Sequence, residues 1–371
     1  MAGIYFHIPF CKRICGYCDF YKSVKIDLLE PVLNAMHCEL VARNGFLHDR
    51  QLRTLYFGGG TPSLCTPPQI QAFIDQAKSL FDASALTECT AEVNPDDLNS
   101  VYLKNLRSTG VNRLSIGIQS FDDAELRGMN RRHTAAQAIQ AVHMAQDAGF
   151  DNLTIDLIFG VRGFGIDILH KNLDTALTLG VQHLSAYHLS IEPNTAFGRK
   201  AQRGDFSAVS ETESEAEYRL IHTTLTEAGY QHYEISNYAL PGFRAQHNAA
   251  YWTGAEYLGI GPAAHSFDGQ TRCWSEDSVE SYITAEAPRF GTENLTERDH
   301  FNEYIMTALR TVEGIDTTYV KQRFGALQAL HLQQRATPFL ATNTLRSEGK
   351  QLFLDPDNYL IADTVIGTLF E

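Results

Sequence analysis

The sequence predicts an α/β protein built on an open, partial (β/α)6 barrel of the TIM type, followed by a helical, winged-helix-like C-terminal domain. Three observations support this prediction: six short runs rich in β-branched and aromatic residues, a helix-patterned segment after each run, and a change of pattern after about residue 230. Repeated βα units indicate a parallel sheet covered by helices. Six units are too few for a standard eight-stranded barrel, so an open barrel is favoured over the alternative, a doubly wound sheet.

The six predicted strands lie in the first two thirds of the chain, at residues 4–8, 54–57, 89–93, 113–118, 153–159 and 184–191. In both architectures ligands bind at the carboxyl ends of the strands. We therefore expect the chemically interesting residues to lie at or directly after the strand ends.

The segments between the strands are amphipathic. In the first of them apolar residues recur at helical spacing, namely Leu29, Val32, Leu33, Met36 and Leu40. Four later helical patterns are each followed by a glycine, the residue that most often ends a helix: Gly110, Gly149, Gly180 and Gly229.

We expect three parts in the chain: a partial barrel at 1–229, an extension at 230–298 and a C-terminal domain at 299–371. In the last part a helical pattern over 301–312 and a hairpin around 348–350 predict the winged-helix-like fold. Wings often contact DNA, but acidic side chains outnumber basic ones in this part. We therefore interpret it as a packing or lid domain.

The composition is that of a soluble globular protein, with 44% hydrophobic and 20% charged residues. The net charge of −14 disfavours a nucleic-acid partner or an anionic membrane surface, because both attract basic faces. The N-terminal stretch MAGIYFHIPFC lacks a basic region and a cleavage site and is too short to span a bilayer, which predicts a cytoplasmic protein. In a reducing compartment its seven cysteines would be thiols, metal ligands or catalysts.

Three cysteines directly follow the first predicted strand, in the stretch CKRICGYC: Cys11, Cys15 and Cys18. Thiolates bind soft or borderline metals, which points to zinc or to an iron–sulfur cluster. Three cysteines can hold three irons of a cubane and leave the fourth iron open to another ligand. The alternatives are a zinc site with His7 as the fourth ligand, or thiols grouped by chance.

This cysteine loop resembles the signature of radical S-adenosylmethionine (SAM) proteins. Five further motifs extend the resemblance to the oxygen-independent coproporphyrinogen III oxidase-like family, which includes haem chaperones. The resemblance covers essentially the whole chain, and its motifs are HIPFC at 7–11, GGGTPS at 58–63, EVNP at 92–95, SIGIQSF at 115–121 and HNAAYW at 247–252.

The resemblance implies a 4Fe-4S cluster on the three cysteines, with SAM on the open iron and one-electron cleavage to methionine and a 5′-deoxyadenosyl radical. It also implies a set of SAM-site residues. The assignment of Arg131 to this set depends only on its position twelve residues after Gln119, and Arg132, next to it, is the other arginine at about this spacing. The set is Tyr5, Tyr17, Gly59, Gly60, Thr61, Glu92, Gln119, Arg131 and Asp156.

The residues themselves support parts of this set. Glu92, Gln119 and Asp156 are polar positions in apolar strands, and a buried polar group needs a partner. A cofactor or hydrogen bonds to neighbouring loops could supply that partner. The glycine turn lets a ligand approach the backbone closely, and no GK[ST] follows it that would indicate a phosphate loop.

Phe20 distinguishes between the branches of this family. The oxidase branch carries a fourth cysteine there, and it also has a sizeable segment before the cluster loop that this chain lacks. Both departures favour a haem chaperone that cleaves SAM but lacks coproporphyrinogen III dehydrogenase activity. The alternatives are that dehydrogenase, which removes two propionate carboxylates as CO2, and a zinc-stabilised interaction protein.

The HNAAYW segment supplies the predicted haem site, with His247 as axial ligand, Tyr251 and Trp252 against the macrocycle and Asn248 beside them. The alternative is a cap or bridge between domains, and His265 is a reserve ligand. The expected partners are haem, haem-recipient proteins and a reductant protein. Recipients that are respiratory enzymes would bring the chain to the membrane as a peripheral partner.

Two further features complete the prediction. After strand five the family has a Leu-Pro-Gly-Gln-Thr-like turn, whereas this chain has VRGFG at 161–165, which leaves the adenosine side of the pocket open to question. The other cysteines show no ligand spacing and are predicted to be buried thiols: Cys38, Cys65, Cys89 and Cys273.

Overall fold

The computed structural model of the protein describes residues 2–284 and 289–371. Across these residues the strands are β1 (Ala2–Ile8), β2 (Leu52–Gly59), β3 (Glu88–Val93), β4 (Arg113–Gln119), β5 (Leu153–Phe159), β6 (His183–His188), β7 (Gln231–Glu234), β8 (Asn237–Ala239), β9 (Tyr257–Ile260), β10 (His265–Phe267), β11 (Thr271–Ser275), β12 (Phe290–Asn294), β13 (Ile315–Asp316), β14 (Leu345–Glu348) and β15 (Gln351–Leu354).

The α-helices of the same residues are α1 (Leu29–Ala42), α2 (Pro67–Leu80), α3 (Ser100–Ser108), α4 (Asp123–Gly128), α5 (Ala135–Asp147), α6 (Gly165–Leu179), α7 (Ala196–Gln202), α8 (Glu211–Glu227), α9 (Gln246–Trp252), α10 (Val279–Thr284), α11 (Glu297–Ala308), α12 (Thr317–Arg323), α13 (Ala326–Ala341) and α14 (Ala362–Leu369). None of these helices is both long and apolar enough to cross a membrane.

One large sheet organises the protein. Its strand order is β12-β11-β10-β9-β1-β2-β3-β4-β5-β6-β8-β7, and β1 to β6 are parallel and adjacent in chain order. Strand β9 adds to β1 in parallel, while the outer strands on both sides run antiparallel to their neighbours. Among the described strands β12 and β7 are the two edges and do not pair with each other. The predicted partial (β/α)6 barrel is therefore confirmed.

The central strands carry apolar side chains on one face and polar side chains on the other. In β1 the residues Ile4, Phe6 and Ile8 lie in the core that the helices cover, so Tyr5 and His7 lie on the opposite face. Register places the other inward residues beside them. They include Thr54, Tyr56, Glu88, Thr90, Glu92, Arg113, Ser115, Thr154, Asp156, His183 and Ser185. A closed barrel would fill this interior with apolar layers, whereas here the interior suits a polar ligand.

The predicted strands agree with the structure, with differences at their ends. The fifth strand has the predicted bounds, whereas β2 is longer than predicted at both ends. The sixth ends at His188 rather than at 191, because Leu189 leaves the sheet and packs beside Val161 and Phe197. Strands β7 to β12 were missed, because they are three to five residues long and lie beyond the βα alternation.

The predicted helix signals are confirmed. Helix α1 spans the first amphipathic pattern. The four glycines follow α3, α5, α6 and α8 with left-handed φ values of 102°, 87°, 62° and 90°, at Gly110, Gly149, Gly180 and Gly229.

The C-terminal part has its own small sheet, with the strand order β13-β15-β14, packed on α11 to α14. The predicted hairpin is present between β14 and β15, and the order of helices and strands fits the predicted winged-helix-like arrangement. This part packs on the barrel, because Val312 N donates to Tyr233 O (3.2 Å) and Tyr218 Oη donates to Pro356 O (2.6 Å).

Candidate functional site

A cavity of about 590 Å³ opens at the carboxyl ends of the central strands. Its wall comes from the cysteine loop after β1, the glycine turn after β2 and the ends of β3 to β6. All the predicted cluster and SAM residues line this cavity except Tyr5, which lies below it: Cys11, Cys15, Cys18, Tyr17, Gly59, Gly60, Thr61, Glu92, Gln119, Arg131 and Asp156.

The three cysteines of the loop are free, half-buried thiols at the rim of the cavity. The Thr61 hydroxyl donates to Cys11 Sγ (3.4 Å), and Arg131 Nη1 donates to Cys15 Sγ (3.3 Å). Burial raises the pKa of the Cys11 and Cys18 thiols, so a bound cation would be needed to favour their thiolates.

The donor chemistry of these three thiols fits an iron–sulfur cluster. Within 2–284 and 289–371 no three His, Cys, Asp or Glu side chains are grouped as ligands for one metal ion. In a cubane each thiolate binds a different iron, so the thiols need not converge on one point. The zinc alternative is not supported, because His7 is 5% exposed and its ring nitrogens contact Tyr5 Oη (3.0 Å) and Tyr21 O (3.2 Å).

The glycine turn after β2 is fitted closely to the end of β1. Gly59 has a φ of 109°, and a Cβ there would lie 2.8 Å from the His7 ring. A Cβ on Gly60 would lie 2.7 Å from the backbone of Pro9 and Phe10. Only glycine allows the turn to approach the cysteine loop in this way.

Two half-buried carboxylates form the inner wall of the cavity. Glu92 accepts hydrogen bonds from Tyr56 Oη (2.8 Å) and from the backbone N–H of Gly59 (3.2 Å), and Ser115 Oγ donates to Asp156 (3.4 Å). Burial raises the pKa of Glu92 to about 7 and the pKa of Asp156 to about 6. A cationic or hydroxyl-bearing ligand would favour the ionised form of both groups.

Gln119 and Arg131 form the side of the cavity nearest the cysteine loop. Gln119 ends β4 with a φ of 74°, a conformation that non-glycine residues rarely adopt and that clusters at functional sites. Arg131 Nη2 donates to Asn94 Oδ1 (2.9 Å) and to Gly117 O. Arg132 points elsewhere and forms ion pairs with neighbouring aspartates, so the structure places Arg131 and not Arg132 in the cavity.

Several lining residues were not predicted. Two are exposed aromatic side chains at the cavity, Phe20 (70% exposed) and Tyr187 (40%). The strand-end rule could have identified three of the others: Asn94 follows the end of β3, Gly117 lies two positions before Gln119, and His188 ends β6. Ser115 lies inside β4 and gave no such signal.

The predicted haem residues lie elsewhere. His247 is 2% exposed, and its Nδ1 and Nε2 atoms contact Thr54 Oγ1 (2.7 Å) and Tyr251 Oη (2.9 Å). Asn248, Tyr251 and Trp252 are half-buried on the same helix, and none of the four lines the described cavity. Haem ligation by His247 stays a prediction, and it requires α9 to open.

Three secondary predictions can be compared with the structure. The reserve ligand His265 is exposed on β10, with its ring against Trp274. The VRGFG turn packs Val161 and Phe164 into a small apolar cluster with Tyr17. Tyr17 lines the cavity, whereas the residues of the turn do not. Burial is confirmed for Cys65, Cys89 and Cys273, but it was wrong for Cys38, which lies on the exposed face of α1.

Two family models match the chain. The radical SAM superfamily model matches residues 5–176, and the HemN C-terminal domain model matches residues 295–358.

Curated relatives match over most of their length. Heme chaperone HemW of Bacillus subtilis is 33% identical over 331 residues, which is 88% of this chain and 87% of the relative. Heme chaperone HemW of Lactococcus lactis is 35% identical over 86% of this chain and 84% of the relative, and that of Escherichia coli is 35% identical over 71% and 69%. Among solved structures, coproporphyrinogen III oxidase (HemN) from Escherichia coli superposes with a TM-score of 0.85 at 23% identity, over 100% of this chain and 90% of that chain. This last similarity shows the fold alone.

Proposed function

The chain belongs to the HemW family of radical SAM proteins, and on this premise we propose that it is a haem chaperone that binds haem and transfers it to recipient proteins, with a SAM-binding 4Fe-4S cluster. The observation that carries the proposal is one cavity in which three free thiols face the polar inner ends of five parallel strands. The similarity to proteins named heme chaperones over most of the chain supplies the haem part of the proposal.

In this proposal Cys11, Cys15 and Cys18 hold the cluster. When bound, the cluster would supply one electron for the reductive cleavage of SAM. The side chains around it would bind and orient SAM: Tyr17, Glu92, Gln119, Arg131 and Asp156 around the wall, the Gly59–Gly60–Thr61 turn at the backbone, and Tyr5 from below.

The carboxylates are suited to the cationic groups of SAM. Glu92 and Asp156 are partly shielded from water, which strengthens the interaction of an ionised carboxylate with a positive ligand. Arg131 supplies the opposite charge beside the cysteine loop. The wall therefore offers both charges to a ligand with an amino and a carboxylate group.

We propose the predicted three-part division, with residues 1–229 carrying the cluster and SAM site, 230–298 forming an extension and 299–371 packing against the barrel. The family matches at 5–176 and 295–358 support the first and last parts. A reducing, cytoplasmic location and a reductant protein belong to the same proposal, because the cluster site needs free thiols and an electron.

The alternative is decarboxylation of coproporphyrinogen III, and Phe20 argues against it. This side chain stands at the cavity where the oxidase branch carries a fourth cysteine, and its ring is exposed. An exposed aromatic ring beside the cluster loop is suited to a flat apolar ligand such as haem.

Anaerobic reconstitution with iron and sulfide, followed by electron paramagnetic resonance of the reduced protein with and without SAM, tests the cofactor part. We expect a four-iron signal that changes when SAM is added. Cys15→Ala should lose the signal, whereas Cys38→Ala, which changes an exposed thiol on α1, should keep it. Zinc bound in place of iron, or a cluster signal that SAM leaves unchanged, would contradict the proposal.

Haem titration and product analysis separate the chaperone from the enzyme. We expect a Soret shift with haem, transfer of that haem to an apo-haem protein, and no CO2 from coproporphyrinogen III with SAM and reductant. Decarboxylation of coproporphyrinogen III would favour the alternative.

A further inference from the structure

Helix α9, which contains the whole HNAAYW segment, is anchored at the end of the barrel opposite the cavity. The two carboxylate oxygens of Glu88 accept hydrogen bonds from the backbone N–H groups of Gln246 (2.8 Å) and His247 (2.9 Å). Glu88 is the first residue of β3 and is buried beside Arg113. A buried carboxylate on the free N–H groups of a helix start is a strong, directional anchor. The first turn of α9 is therefore fixed to the amino-terminal ends of the strands.

The imidazole of His247 fills the floor of the barrel interior. Both of its nitrogens contact hydroxyl groups, Nδ1 with Thr54 and Nε2 with Tyr251. Burial lowers the pKa of His247 to about 3, so the ring is neutral and one nitrogen donates while the other accepts. Gly3 leaves room for this ring, since a Cβ there would lie 3.0 Å from His247 Nδ1 and 2.6 Å from Thr54 Oγ1.

The His247 ring supports two tyrosines that lie between it and the cavity. It stacks on Tyr56 with a centroid distance of 4.9 Å and an interplanar angle of 24°, and it lies 6.4 Å from the Tyr5 ring at 26°. The loss of such a buried ring would leave a cavity beside Tyr56, which is 6% exposed. The orientation of both tyrosines therefore depends on α9.

Both tyrosines lie close to one residue of the inner wall, Glu92. Tyr56 Oη donates to Glu92 Oε1 (2.8 Å), and Glu92 lines the cavity. A Cβ on Gly58 would lie within 3.0 Å of Tyr5, Tyr56 and Glu92 together. The path from His247 to the cavity thus consists of one ring contact and one hydrogen bond.

We infer that His247 is a positioning residue for the SAM cavity, which acts through Tyr56 on the Glu92 carboxylate, and that Tyr251 holds the His247 ring in place. This inference rests on the proposed function only in taking SAM as the ligand of the cavity. On this inference the HNAAYW segment supports the SAM cavity from the floor of the barrel, and haem contacts a different part of the protein. Iron ligation through either nitrogen of His247 would break the hydroxyl contact of that nitrogen and would require a ring that is 2% exposed to become accessible.

Four variants of the full-length, cluster-reconstituted protein test the inference. His247→Ala removes the ring, His247→Asn keeps a polar atom near the Nδ1 position, and Tyr251→Phe removes the hydroxyl alone. Gln246→Ala is the matched control, because this neighbouring side chain contacts Arg53 and Thr87 and not the floor. The two readouts are the SAM dissociation constant from the SAM-induced change in the cluster signal, and the Soret shift on haem titration.

We expect His247→Ala to weaken SAM binding on the order of tenfold, as the loss of supporting contacts around a site typically does. His247→Asn should recover part of that loss, Tyr251→Phe should weaken binding by a smaller factor, and Gln246→Ala should bind like the wild type. Haem titration should be unchanged in all four variants, since the ring does not contact haem.

Unchanged SAM affinity in His247→Ala and Tyr251→Phe would overturn the inference. A lost Soret shift in His247→Ala with normal SAM binding would also overturn it and would restore His247 as the haem ligand. If His247→Ala failed to fold, Tyr251→Phe and His247→Asn would still decide, because each removes only part of the network. Wild-type protein that bound no SAM would contradict the proposed function itself, and this result is distinct from the other two.

Discussion

Individual side chains of the cavity show how burial creates a ligand site. Glu92 and Asp156 are half-buried on the inner face of the sheet, so each carboxylate is less hydrated there than at an exposed position. Their partners are hydroxyl groups and one backbone N–H, which only partly replace that hydration. In the unliganded protein the two carboxylates therefore carry a desolvation penalty, which a suitable ligand would reduce by interacting with them.

This penalty predicts a pH dependence for the unliganded protein. The pKa of Glu92 is raised to about 7 from an ordinary value of 4.5, so the folded protein keeps a proton that the unfolded chain has lost. The free energy of unfolding should therefore fall as pH rises from about 4.5 to 7, with a contribution from Glu92 of up to about 3 kcal/mol. Glu92→Gln should remove this share of the pH slope.

Urea unfolding of the unliganded protein at several pH values checks this prediction. The control is Glu293→Gln, which changes an exposed carboxylate on β12. An identical pH slope for Glu92→Gln and the wild type would show that the Glu92 carboxyl is already ionised at low pH in the folded protein.

Phe20 gives a second prediction at the same scale. Its ring is 70% exposed, so Phe20→Ala should change the free energy of unfolding by no more than about 0.5 kcal/mol. If the ring contacts the haem macrocycle, the same variant should weaken haem binding, which a Soret titration measures. Val101→Ala, an equally exposed apolar residue on α3, should leave both quantities unchanged. Equal haem affinity for both variants would remove Phe20 from the haem contact.

At the scale of elements, the parallel strands place residues that are far apart in sequence at one edge of the sheet. The cysteine loop, the glycine turn and Gln119 belong to three different βα units and meet because their strands are adjacent and parallel. The sequence predicted this meeting, since strand ends can be located from patterns and parallel strands share one functional edge. The helix ends were predictable for a similar reason, because a glycine with positive φ marks each of them.

Two glycines in helical regions should respond in opposite ways to the same substitution. Gly180 ends α6 with a φ of 62° and open space around its Cα, so Gly180→Ala should lower the free energy of unfolding by roughly 1 kcal/mol through backbone strain alone. Gly367 lies inside α14, also with open space, so Gly367→Ala should raise it by about 0.4–1 kcal/mol. Chemical denaturation measures both. A loss of stability in both variants would mean that the space around Gly367 is not open.

At the scale of the whole molecule, the part that could not be predicted is the position of the HNAAYW segment. His247 contacts Thr54, which lies 193 positions away in the sequence, and no periodicity or spacing reports such a contact. The polar inner face of the sheet could have been predicted but was not. Tyr56 and Ser115 alternate with apolar neighbours along their strands, just as Glu92 and Asp156 do. The antiparallel strands of the extension were not predicted for a different reason: a strand of three to five residues is too short to show a clear alternation of apolar and polar residues.

The cavity joins segments from residue 11 to residue 192, so a ligand bound there should stabilise the whole barrel. A ligand that binds only the folded state adds about 2.7 kcal/mol at a concentration of 100 Kd. We therefore expect SAM to raise the Tm of the cluster-reconstituted protein, as measured by anaerobic thermal unfolding. The rise should be largely lost in Cys15→Ala, because the open iron is absent, and kept in Cys38→Ala, which alters a thiol on the exposed face of α1. An equal rise in Cys15→Ala would mean that the side chains of the wall bind SAM without the cluster, and the cysteine loop would then have to act in a step other than SAM binding.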